Sequence, residues 1–237
     1  MPESTTQLLL ARQGCISEAM AQVAAAEFLP AEFIRAQTAA GRLVIPANRH
    51  HVALDPIGIG SDLRTKINAN IGNSLLSSDI AAELRKLEAA VRYGADTVMD
   101  LSTGAGIDEI RQAIIKHSRV PIGTVPLYEA LARVEAPEAL TAELLLEVIE
   151  HQARQGVDYM TLHAGLLRRH VPLAARRLLG IVSRGGAILA GWMVRHQREN
   201  PLYERFDEVL AICREHDVTI SLGDGLRPGC LADASDD

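Results

Sequence analysis

From residue 63 onward, short apolar runs alternate with longer segments whose apolar positions recur at helical spacing. Asp96-Thr97-Val98-Met99-Asp100, Pro121-Ile122-Gly123-Thr124, Val157 to His163, Ile181-Val182-Ser183 and Val218 to Leu222 read as strands. Between them, Ile80, Leu84, Leu87 and Val91 share one helical face, with caps offered by Ser77, Ser78 and Asp79 and a stop at Gly94. Further helices are predicted over Ile107 to His117, from Thr141 to Gly156, over Ala187 to His196 and over Leu202 to His216. Residues 1–62 follow another pattern: helices over Ser17 to Glu27 and Ala31 to Ala40, then a hairpin-like stretch around Leu43-Val44-Ile45.

The stretch from Lys66 to Ser74 departs from strand chemistry. It carries Asn68, Asn70 and Asn73 where branched and aromatic residues are expected. Amides buried there require hydrogen-bond partners, because an unsatisfied amide is costly. Polar residues recur at the carboxyl ends of the later strands: Asp100, Thr124, His163, Ser183 and Asp224.

Strand–helix alternation of this pitch implies a parallel α/β sheet. A doubly wound dinucleotide fold would carry Gly-x-Gly-x-x-Gly between its first strand and helix. Gly58 and Gly60 run instead into Asp62-Leu63-Arg64 and precede a strand. Polar residues converging from successive strand ends favour a (β/α)8 TIM-type barrel. The expected organisation is an N-terminal helical and hairpin extension over 1–62 and a partial barrel over 63–237. About six βα units are legible, so the barrel is expected to be truncated, short of its last units.

Composition narrows the function classes. The 237 residues are 48% hydrophobic, with mean hydropathy +0.07, as suits a soluble domain with a substantial core. A net charge of -6, a pI near 5.8 and 3% aromatics argue against nucleic-acid and acidic-membrane surfaces. Cys15, Cys213 and Cys230 are widely spaced and form no Cys-x-x-Cys, so neither a disulfide framework nor a metal or cluster site is expected within this chain. A reducing cytoplasm follows from that cysteine usage. Met1 to Gln7 has no basic leader character, and no apolar run approaches membrane-spanning length.

Several groups could carry chemistry. Ser183-Arg184-Gly185-Gly186, between a strand and a helix start, suits a phosphate, as does the Asp–Arg pair in Gly223-Asp224-Gly225-Leu226-Arg227-Pro228-Gly229. His163 closes a strand beside the small residues Ala164 and Gly165. The adjacent His50 and His51 point opposite ways on an extended segment and read as surface residues rather than an ion pocket. Arg168-Arg169 and Arg176-Arg177 read as solvated charge. Neither His-Glu-x-x-His nor Gly-x-Ser-x-Gly occurs.

Longer motifs carry a family resemblance. Arg12-Gln13-Gly14, Ile45-Pro46-Ala47-Asn48, Asn68-Ala69-Asn70-Ile71-Gly72-Asn73-Ser74, Met99-Asp100-Leu101-Ser102-Thr103-Gly104 and Pro121-Ile122-Gly123-Thr124-Val125-Pro126 belong to it. So do Gly156-Val157-Asp158-Tyr159, His163-Ala164-Gly165, Val182-Ser183-Arg184-Gly185-Gly186 and Ser221 through Gly229. Over residues 9–237 the chain resembles the phosphomethylpyrimidine synthase family of thiamine biosynthesis.

The resemblance implies a (β/α)8 barrel that uses a [4Fe-4S] cluster, S-adenosylmethionine and zinc. Its reaction turns 5-aminoimidazole ribotide into hydroxymethylpyrimidine phosphate, with release of formate and carbon monoxide, in a cytoplasmic homodimer. Matched motif by motif, it implies ribotide contacts at Asn70, Met99, Tyr128, His163, Ser183, Arg184, Gly185, Asp224, Gly225, Leu226 and Arg227. The family's Glu-Gly-Pro-Gly-His, a second zinc-ligand His and a Cys-x-x-Cys-x-x-x-x-Cys lie beyond the equivalent of Asp237, so the chain is expected to be a ribotide-binding fragment inactive alone. Smaller departures are His50, where the family has Asn, and Arg119, where it has Pro. Two alternatives stand beside this reading: the similar hydroxybenzimidazole synthase, which uses the same ribotide, and a non-catalytic ribotide-binding or interaction protein.

Overall fold

The structure is a computed structural model and describes residues 5–74 and 79–236. The extension begins with helices α1 (Gln7–Arg12), α2 (Glu18–Glu27) and α3 (Ala31–Ala39), the first two capped by the hydroxyls of Thr6 and Ser17. β1 (Leu43–Val44) pairs antiparallel with β2 (Ile59–Gly60), so the expected hairpin is closed by a long connection rather than a tight turn. Then follow β3 (Asn68–Ile71), α4 (Ile80–Arg92), β4 (Thr97–Asp100), α5 (Ile107–His117), β5 (Ile122–Thr124) and α6 (Pro126–Ala132). The chain continues through α7 (Ala142–Gln155), β6 (Tyr159–Leu162), α8 (Val171–Ala174), α9 (Arg184–His196), α10 (Pro201–Glu204), α11 (Phe206–His216) and β7 (Thr219–Leu222).

β3 to β7 form one parallel sheet in strictly sequential order. The helices connecting them supply the covering layer, and the main apolar core lies between them and the sheet around Val98, Ile114, Ile122, Leu145, Ile149, Met160 and Leu189. A second cluster, Ala11, Met20, Val23, Ala24, Ile34, Leu43 and Ile45, belongs to the extension. No helix among the described residues is long and apolar enough to cross a membrane.

Three expectations about the elements are corrected. The parallel sheet has five strands, not about six, because Ile181-Val182-Ser183 forms none. β6 and β7 pair directly, from Tyr159↔Thr219 to Leu162↔Leu222, so the edge of β6 that this segment would join is already occupied. Ser183 instead caps α9, which starts at Arg184 rather than near Ala187, and its Oγ accepts from the Gly186 N–H. The helix expected over Leu202 to His216 breaks at Arg205 into α10 and α11.

Two further corrections concern charged side chains. His51 is buried, donating from Nδ1 to Asp158 Oδ2 (2.7 Å) and from Nε2 to the Ser118 carbonyl (3.0 Å), whereas His50 turns the other way to His216 Nδ1 (3.0 Å). The opposed directions hold, but the surface reading fails for His51, since a ring with both nitrogens bonded can be buried without an unsatisfied polar group. Arg177 is likewise not solvated: it pairs with Asp236 and donates to the Leu226 carbonyl at 2.5 Å. On α4, Leu87 is buried while Ile80 and Val91 remain exposed. Asp79 caps α4, and the other expected caps, Ser77 and Ser78, lie outside the described residues.

Candidate ligand site at the carboxyl ends of the strands

His163 follows β6 directly, and the Gly223 N–H donates to the Leu162 carbonyl at 2.8 Å, which carries the two chain exits away side by side. Glycines set how close the surrounding backbone comes. A Cβ on Gly185 would lie 2.5 Å from His163 Cε1, and one on Gly223 would lie 2.9 Å from its Cδ2, so the imidazole is held between two bare backbones. Gly186 touches Gly225 in the same way: a Cβ there would lie 2.1 Å from the Gly225 oxygen.

Ser183 Oγ and His163 Nε2 are 3.2 Å apart, and His163 Nδ1 is buried with no hydrogen bond among the described residues. Burial, then the positive charge of Arg227, lowers the His163 pKa below its ordinary value, so the ring is neutral at pH 7. Arg184, first residue of α9, lays its guanidinium 4.8 Å from the Tyr128 ring centroid, which ties α6 to the helix start. Asp224 and Arg227 are exposed, and Arg227 Nη1 donates to the Asp224 carbonyl at 3.1 Å.

The structure therefore gathers Tyr128, His163, Ser183, Arg184, Gly185, Asp224, Gly225 and Arg227 on the loops that leave β6 and β7 and on the starts of α6 and α9. Leu226 packs against the main core, its carbonyl held by Arg177. Asn70 and Met99 form a second group, directly paired on β3 and β4. Among the described residues, no hydrogen bond, ion pair or ring contact joins the two groups. Met99 lines a cavity of about 830 Å³ with Asn68, Thr97, Tyr159, Thr219 and Ser221. Two expected strand-end groups turn elsewhere: Thr124 donates to Gln152 Oε1 (2.6 Å) on α7, and Asp100 is buried and accepts from the Ser102 hydroxyl (2.5 Å).

One supporting residue escaped the pattern. Asn200 is fully buried; its Nδ2 donates to the carbonyls of His163 (2.8 Å) and Leu166 (2.9 Å), while Oδ1 accepts from the Leu202 N–H (3.0 Å). Asn200-Pro201 looks like simple punctuation in the sequence, and no local signal reveals the clamp.

A cluster or a metal finds little to bind. An iron–sulfur cluster needs several thiolates within reach of one ion group. Cys15 is exposed in the extension, Cys213 is buried in α11 with its thiol pushed up to about 12 by burial, and Cys230 sits 3.5 Å from Asp233 Oδ2. No grouping of metal-ligand side chains among the described residues includes a cysteine, so the residues present do not fit the cluster. Asp108, Glu129 and His151 do converge, but Arg111 donates to Glu129 Oε2 (2.7 Å) and Asp108 Oδ1 (3.0 Å) and already supplies the cation.

Against that geometry, a family model described as the Radical SAM ThiC family matches residues 6–237. The chain belongs to that family. It is 61% identical to the phosphomethylpyrimidine synthase of Natronomonas pharaonis over 232 residues, 98% of this chain and 49% of that protein. The phosphomethylpyrimidine synthase of Haloarcula marismortui is 59% identical over 232 residues, 98% of this chain and 48% of that one. A third, from Halobacterium salinarum, is 59% identical over 233 residues, 98% of this chain and 49% of its own length. The chain thus spans about half the length of the curated relatives it matches.

Proposed function

We propose that this chain carries the 5-aminoimidazole ribotide site of a phosphomethylpyrimidine synthase, on a partial (β/α)8 barrel over 63–237 that follows an extension over 1–62. The sequential strand order supports the barrel, because a doubly wound sheet reverses order at its switch point. The separate apolar clusters of the extension and the sheet support the division.

The observation that carries the reading is the cluster around His163, combined with membership of the family. Arg184 and Arg227 grip the phosphate of the ribotide, helped by the N–H groups at the start of α9. Neutral His163 and Asp224 serve the base and sugar, and Asn70 and Met99 approach from the neighbouring strands. The whole enzyme forms hydroxymethylpyrimidine phosphate in the cytoplasm, as a homodimer. It requires S-adenosylmethionine, a [4Fe-4S] cluster and zinc; among the described residues no cysteine grouping fits the cluster. The names of the relatives favour the pyrimidine product over a benzimidazole.

Calorimetric titration with ribotide tests the site: saturable binding by the 237-residue chain is expected. The unsuitable cysteines favour a second reading for the isolated chain, binding without turnover. Deoxyadenosine formation from S-adenosylmethionine by the purified chain would overturn that second reading.

A further inference from the structure

Tyr159 and Asn68, which the proposed function does not use, form a relay that ends on Asn70. Tyr159 opens β6 and Asn68 opens β3, with β4 and β5 between them. In a flat sheet the two strands would stand about 14 Å apart, beyond the reach of these side chains. Yet Tyr159 Oη donates to Asn68 Oδ1 at 2.8 Å, so the sheet curves toward this face. Gly123 makes the crossing passable. It pairs with Tyr159 in register, and a Cβ there would lie 2.2 Å from the tyrosine ring.

The hydrogen bonds then run in one direction. Asn68 Oδ1 takes both the Tyr159 hydroxyl and the Thr97 hydroxyl (2.9 Å), which leaves Asn68 Nδ2 to donate to Asn70 Oδ1 at 2.8 Å. An amide whose oxygen is engaged in this way presents its NH2 group outward. Asn70 is exposed, and its strand partner Met99 lines the cavity. Burial pushes the Tyr159 pKa up to about 12, so the phenol keeps its proton throughout the working range.

We propose that Tyr159 is a positioning residue: through Asn68 it fixes the amide of Asn70 so that Asn70 donates a hydrogen bond to an acceptor atom of the bound ribotide. The inference rests on the reading of Asn70 as a ribotide contact and adds the direction of its bond and the residue that sets it.

The test uses the 237-residue chain, calorimetric titration with ribotide and side-chain amide NMR of the unliganded protein. Tyr159→Phe keeps the ring and removes only the hydroxyl; it should weaken binding about threefold to tenfold, the scale of one hydrogen bond. It should also speed exchange of the Asn68 δ-amide protons. Gly123→Ala, which displaces the ring but keeps the hydroxyl, should produce the same two effects. Asn70→Asp keeps the bond from Asn68 but presents an acceptor, and should bind at least as weakly as Asn70→Ala. Tyr159→Phe and Asn70→Asp both at the wild-type affinity, with Asn70→Ala impaired, would overturn this inference and leave the ribotide site standing. Absence of ribotide binding by the wild-type chain would overturn the ligand assignment and the donor role together.

Discussion

The Arg184 guanidinium lies 4.8 Å from the Tyr128 ring centroid, so a residue from the first turn of α6 and one from the first turn of α9 form a single wall. Stacking uses the face of the guanidinium and leaves its edge N–H groups for an anion. Tyr128→Leu should therefore weaken ribotide binding by about 0.5–2 kcal/mol through loss of that support. Calorimetry checks it, and an unchanged affinity would remove the pair from the site.

Arg227 is exposed, and its guanidinium bonds only the Asp224 carbonyl among the described residues, so it has donors to spare for a ligand. Arg227→Ala is expected to cost about 1.5–3 kcal/mol of ribotide affinity, the scale of a charged hydrogen bond. The loss should shrink at high salt, where exposed charges are screened. A salt-independent loss would argue for a structural effect.

His51 gives the fold a pH dependence. Burial works against its charged form, but the hydrogen bond and charge of Asp158, with the carbonyl contacts, outweigh this and raise its pKa. A cation raised on folding adds stability that is complete below its unfolded value, about 6.5, and is lost as pH rises through the folded value. The stability gap between wild type and His51→Gln in urea melts should thus be widest near pH 6 and narrow toward pH 9. His163, whose pKa is lowered, acts in the opposite sense on the acid side and cancels in that difference. Asp158→Asn should cost about 3–5 kcal/mol, as expected when one partner of a buried pair is removed.

Asn200 separates clamp from cap. Asn200→Asp keeps an acceptor for the Leu202 N–H but loses both donors to the carbonyls of His163 and Leu166. It should destabilise the fold by about 1–3 kcal/mol and shift the His163 titration followed by NMR. Asn200→Ser, which caps without the amide, should show the same His163 shift. An unmoved His163 signal in both variants would confine Asn200 to a capping role.

Much of this was legible from sequence because it is local. The periodicity over Ile107 to His117 gave the limits of α5, and Thr141 and Gly156 marked the cap and stop of α7, the glycine taking φ +104°. Sequence motifs also gathered the residues around His163. What stayed hidden depends on pairing at long range. Ile181-Val182-Ser183 has strand composition, but whether it joins a sheet depends on β7 having taken the edge of β6. The Tyr159–Asn68 bond joins residues 91 positions apart, and the burial of His51 depends on Asp158, 107 positions away. The amides of the Asn68–Asn73 stretch need partners, but those of the Asn68 oxygen, Thr97 and Tyr159, lie 29 and 91 positions away.

Gly186 and Gly225 meet backbone to backbone with no side chain between them. Because side chains are the parts of a pocket that rotate cheaply, a contact without them has no slack. In the proposed site, a bulkier ligand pressing on the Asp224–Arg227 turn would meet the thirteen-residue rod of α9 directly behind it, with Arg184 and its Tyr128 contact at that helix's start. At the proposed site, selection by size is therefore expected to precede any match of charge.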